Sequence, residues 1–178
     1  MKRMGFKTYP PNKSSDKEID SYFIRGEYII PAIREGHLKE FLNRALVRRS
    51  PLVIESGDDK GAVQFLIYKS GHLYMEALLG DEEHDNGRIE KLTSLGFRED
   101  LELKQFGIYS RMFSFSSETK DELFKNISKL IILILTRVYN VSRAAEYIIN
   151  LVEDDSVEQA PTEQLMELLN NDEINFNI

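Results

Sequence analysis

Ala-Val-Gln-Phe-Leu-Ile-Tyr-Lys-Ser-Gly-His-Leu-Tyr-Met-Glu-Ala-Leu-Leu, residues 62–79, decides the fold class. It reads as two strands around Lys69-Ser70-Gly71, a three-residue turn with glycine where the backbone must become left-handed. That turn length sets Tyr68 opposite His72. One face then carries Val63, Phe65, Ile67, Leu73, Met75 and Ala77, with no polar side chain among them. The other carries Gln64, Leu66, Tyr68, His72, Tyr74, Glu76 and Leu78. A slip of one residue would mix the two sets, so the separation itself argues for the register.

Outward from this hairpin, residues 52–56 form a third short apolar strand, joined to it by the turn chemistry of Gly57-Asp58-Asp59-Lys60-Gly61. Upstream, Leu38, Phe41, Leu42, Ala45 and Leu46 recur at helical spacing after Pro31, and Ser50-Pro51 stops that helix. Residues 18–30 fit either a short helix or an added strand. Downstream, Ile89, Leu92 and Leu95 mark a short helix that ends at Gly96, with Phe97 as the hydrophobic partner of that cap. Residues 101–104 and 108–115 read as a second hairpin, its latter strand alternating Tyr109, Arg111, Phe113 and Phe115 with Ile108, Ser110, Met112 and Ser114. From Thr119, a capping-box candidate with Glu122, apolar residues continue at helical steps to Val152 and predict a helix of about thirty residues, near 45 Å long. Its belt at 131–135 is apolar nearly all round. The expected architecture is therefore α+β in the order α-βββ-α-ββ-α. Its five-stranded antiparallel sheet has helices on one face, and its last helix is long.

Length and charge bound the rest. The chain has 178 residues and a net charge of −7, with no Cys, which removes disulfides, thiolate nucleophiles and Cys-ligated zinc. Residues 153–178 hold eight acids and no Lys or Arg, leaving residues 1–152 at +1. The chain divides into a basic arm over 1–17, one α+β domain over 18–152, and an acidic tail over 153–178. The tail has a short helical pattern at Leu165, Met166, Leu168 and Leu169. Acidic tails repel phosphate backbones, so no nucleic-acid partner is expected. The longest apolar run is far short of the ~20 residues needed to span a bilayer, and no leader pattern is visible, so cytoplasmic residence without a membrane partner is expected.

Chemistry-bearing motifs are sparse. Residues 81–85, Asp-Glu-Glu-His-Asp, read as a solvated acidic loop, since a loop run does not converge ligands on a metal. Glu76 stands inside an apolar strand and reads as a half-exposed sheet residue, with Arg111 a candidate partner. An enzyme would need Glu76, Arg111 and His72 to converge in a cleft. No phosphate-binding glycine loop, nucleophile elbow or paired metal histidines occur, so neither a catalytic residue nor a cofactor or metal is implied.

Apolar side chains on faces that should be wet are the stronger signal. Leu66, Tyr68, Tyr74 and Leu78 gather on the outer hairpin face, either as a partner surface or beneath residues 18–30 or the tail helix. Ile131, Ile132, Leu133 and Leu135 are the candidate homodimer contact.

Four stretches carry a family resemblance: Ala-Val-Gln-Phe-Leu-Ile-Tyr (62–68), Leu-Tyr-Met-Glu-Ala (73–77), Leu-Thr-Ser-Leu-Gly-Phe (92–97) and Leu-Thr-Arg-Val-Tyr-Asn-Val (135–141). In their order, residues 32–152 resemble the type III secretion chaperone-like fold of YbjN-like and CesT-like peptide-binding chaperones. The resemblance implies a non-enzymatic, dimeric, acidic protein that holds an extended client polypeptide. The rival readings are a regulatory or immunity-type protein with one folded partner, and the enzyme above.

Overall fold

A computed structural model describes residues 7–8, 19–48, 50–58, 60–79, 86–99 and 107–152. The hairpin forms with the register its turn predicts. β4 (Gly61–Tyr68) and β5 (His72–Leu79) pair antiparallel with Tyr68 opposite His72, and Gly71 takes φ +90°. β3 (Leu52–Ser56) pairs with the free side of β4, and β7 (Ile108–Ser114) with that of β5.

The sheet does not stop there. Residues 18–30 are neither purely helix nor purely strand: β2 (Ile19–Arg25) runs straight into α1 (Gly26–Arg34). At that junction a Cβ on Gly26 would stand 1.8 Å from the Ser142 carbonyl oxygen, so only glycine fits. The helix expected from Pro31 is likewise two helices. Pro31 lies inside α1, and Gly36 at φ +93° turns the chain into α2 (His37–Arg48). α3 (Asn86–Ser94) ends as its sequence predicts. Gly96 N–H donates to the Thr93 carbonyl and Phe97 N–H to the Leu92 carbonyl, while the Leu92 and Phe97 side chains are both buried. β6 (Arg98–Glu99) then returns along β7.

The largest correction concerns the C-terminal third. The thirty-residue helix does not exist. α4 (Lys120–Leu133) is followed by a π-helical turn, Ile134–Val138, in which Tyr139 N–H reaches back to the Ile134 carbonyl. Asn140, at φ +48°, ends it. β8 (Glu146–Val152) then enters the sheet between β2 and β3 and is antiparallel to both. Tyr147, Ile149 and Leu151 are buried while Ile148 and Asn150 are half-buried, which is the period of a strand. So dense an apolar run satisfies helical steps as well as alternation, and only strands supplied from elsewhere in the chain choose between them.

The expected five-stranded sheet is thus corrected to seven strands in the order β2-β8-β3-β4-β5-β7-β6. The two-residue β1 (Lys7–Thr8) lies outside β2 as an eighth. All pairings are antiparallel, and the sheet is open. The chaperone-like topology implied by the resemblance fails on the same ground: it has no place for a C-terminal strand inserted between β2 and β3, and its long last helix is absent. All four described helices pack on one face of the sheet. There Ile54, Val63, Phe65, Leu73, Met75, Phe113, Tyr147 and Leu151 join Leu42, Leu92, Phe124 and Ile131 in one core. The apolar belt at 131–135 is explained by this burial. Ile131, Ile134 and Leu135 face the core, and the π turn rotates the chain so that more of its circumference is enclosed.

Candidate functional site: the helix-free face of the sheet

Register lines up the side chains of the other face in rows across the strands. One row runs Phe23, Ile148, Glu55, Ala62, Leu78, Ile108. The next runs Ser21, Asn150, Val53, Gln64, Glu76, Ser110, Arg98. A third places Leu66, Tyr74 and Met112 side by side, with Tyr68 and His72 paired beyond it. Two largely apolar rows therefore flank a polar one. Ile108 and Met112, which end them on β7, are four residues apart, about 13 Å at ~3.3 Å per residue.

Tyr68, Tyr74 and Met112 form a small cluster separate from the main core, with Leu66 packed against it. They are 5%, 4% and 3% exposed. No helix among the described residues lies over them, yet at that exposure they are already enclosed within the chain, and Leu66 and Leu78 are the half-buried side chains beside them. In the polar row, Ser21 Oγ donates to Asn150 Oδ1 at 2.7 Å. Ser110 differs: its hydroxyl is buried without a hydrogen-bond partner, between its register neighbours Glu76 and Arg98. An orphaned buried hydroxyl costs about 1–3 kcal/mol.

The sequence-predicted residues fall as follows. Leu66, Tyr68, Tyr74 and Leu78 all lie on this face, distributed over its two apolar rows and the Tyr68–His72 pair. Met112, Ile108 and the orphaned Ser110 complete it. Their alternation was visible in the sequence, but no local signal tied that strand to the hairpin's outer face. Residues 18–30 do not cover the patch, because β2 is a strand of the sheet itself and α1 packs on the opposite side. The tail pattern at Leu165, Met166, Leu168 and Leu169 lies outside the described residues, as do residues 81–85 and 1–6. Of the residues expected to make a homodimer, Ile131 and Leu135 are in the core, while Ile132 and Leu133 are half-buried.

Glu76, Arg111 and His72 are not brought together. Glu76 sits opposite Ser110 on the helix-free face, whereas Arg111 sits opposite Met75 on the helix side. There the Arg111 guanidinium lies 4.8 Å from the Phe113 ring centroid and donates to the Leu95 carbonyl. The expected Glu76–Arg111 pairing is therefore excluded by the sheet between them. Among the described residues no cluster of His, Asp and Glu has the arrangement of a metal site. No described helix is long and apolar enough to cross a membrane.

No family model, curated protein or solved structure matches this chain. The likeness to type III secretion chaperones therefore rests on four short motifs alone, and the topology contradicts it.

Proposed function

We propose that the protein is a polypeptide-binding module whose contact surface is the helix-free face of the sheet, and that its partner is an extended or unfolded segment. One observation carries the reading: two largely apolar rows flank a polar row on the face that bears no described helix, with Leu66, Gln64 and Leu78 half-buried along it. An extended chain alternates apolar side chains with main-chain donors and acceptors. It can lay the former on the half-buried Leu66 and Leu78 and offer the latter to the half-buried Gln64 that lies between their rows. Tyrosine and methionine are enriched in the centres of protein interfaces, and the half-buried Leu66 and Leu78 form the accessible part of the patch.

The test uses the full chain and, as probe, a permanently unfolded carboxymethylated globular protein, with binding followed by fluorescence anisotropy. Saturable binding at micromolar concentration is expected, weakened at least about tenfold by Leu66→Lys together with Leu78→Lys. These half-buried sites leave the core untouched, so the melting temperature of the double variant should stay close to that of the parent. Absence of binding, or binding that the pair of substitutions does not alter, overturns the reading.

A further inference from the structure

On the helix side of the sheet, where α3 meets the π turn, a cleft of about 600 Å³ opens to the surface. Its volume falls within the range of small-molecule sites. Among the described residues, four cations line it, Lys60, Arg88, Lys91 and Arg137, and no carboxylate does. Residues 1–152 carry a net +1, so these cations form a local concentration of charge.

The cleft is also rigidly built. The buried Arg88 guanidinium donates through Nε to the Val138 carbonyl at 3.0 Å and through Nη2 to the Lys60 carbonyl. It stands 5.5 Å from the centroid of the Tyr139 ring. One side chain thus fixes α3, the π turn and the start of β4 relative to one another. Tyr139 is locked in turn: its hydroxyl lies 2.7 Å from the Ala62 carbonyl and 2.9 Å from that of Leu78. A Cβ on Gly61 would come within 2.5 Å of its ring. The rim is formed by irregular backbone, the π turn and Asn140 at φ +48°, of the kind that persists where surrounding structure holds it and that gathers at functional sites. Lys91 and Arg137 are exposed, while Lys60 lies at the edge of an ion pair, 3.8 Å from Asp58.

We infer that this cleft binds a small phosphate-bearing ligand, with Lys91, Arg137 and Lys60 as its charge contacts and Arg88 as the residue that positions them. Arginine and lysine together suit phosphate oxygens, the first by paired N–H donors and the second as a point charge. A preorganised arrangement loses little entropy when the ligand arrives. The cleft is local and of small-ligand size, not a groove that follows a phosphate backbone.

Isothermal titration of the full chain with inorganic pyrophosphate tests the inference, with sodium chloride varied. Saturable one-to-one binding is expected, weakening as salt rises. Lys91→Glu with Arg137→Glu should reduce affinity at least about tenfold with little change in melting temperature, since both side chains are exposed. Lys39→Glu with Lys129→Glu, at the mixed-charge groove between α2 and α4, should leave pyrophosphate affinity unchanged. The inference is overturned if no saturable binding occurs below millimolar pyrophosphate. It also fails if charge reversal at the cleft has no more effect than reversal at the control groove.

Discussion

The two faces of one sheet, made by the same strands, have opposite compositions. On the helix side every row is apolar through the centre, and Val63, Phe65, Leu73, Met75 and Ala77 are wholly buried. On the other side a polar row separates two apolar ones, and the aromatic cluster is small and detached from the core. A face that only has to be buried gains from uniform apolar packing. A face that alternates apolar and polar rows forgoes part of that gain and acquires directionality instead. On the proposed function, stability and recognition fall to adjacent residues of one strand, so neighbouring substitutions should separate them.

Neighbours on β4 give the largest contrast. Phe65→Ala should cost about 3–5 kcal/mol by leaving a cavity under α2, whereas Leu66→Ala, one residue on and facing the other way, should cost about 1 kcal/mol. Urea unfolding of the two variants measures this, and equal costs would erase the distinction between the faces. Next in size is Gly61→Ala, which forces a methyl group against the Tyr139 ring and should destabilise by about 2 kcal/mol. An unchanged midpoint would mean that the ring can withdraw from the sheet.

Tyr139→Phe should cost about 1 kcal/mol by removing the hydroxyl that caps two strand carbonyls. It also sharpens a pH dependence. Burial raises the folded-state pKa of Tyr139 well above its usual value, and the nearby Arg88 charge offsets this only in part. The phenol ionises first in the unfolded chain. Its contribution is therefore complete below about pH 10 and declines as pH rises beyond that, by about 1.4 kcal/mol per pH unit. The Phe variant should show a shallower loss of stability in alkali than the parent, and parallel curves would refute the assignment. Ser110→Ala should have the smallest effect, between no change and a gain of about 1 kcal/mol, because it removes a buried hydroxyl that has no partner. A clear loss would show that this hydroxyl is already satisfied in the free protein.

Much of the hairpin and of α3 was legible because the deciding contacts are local. A three-residue turn fixes Tyr68 against His72, and Gly96 fixes Phe97 against Leu92. The C-terminal strand was not legible. Residues 146–152 satisfy helical steps and alternation alike, and their partners, 19–25 and 52–56, lie far back in the chain. The candidate face shows the same division. Leu66, Tyr68, Tyr74 and Leu78 follow from one hairpin, whereas Met112 and Ser110 join them only through the β5–β7 register. The cationic cleft escaped the sequence because Lys60, Arg88 and Arg137 are separated by long stretches and converge only when the π turn packs on α3.

By itself the sequence determined the local alternation, the turns and the helix stops, since each depends on residues a few positions apart and on backbone conformations that only certain residues tolerate. Tertiary structure alone decided where β8 inserts, which rows cross the sheet, and which cations share a cleft. Those outcomes depend on pairing between distant segments, and an apolar run carries no label for the strand that will receive it.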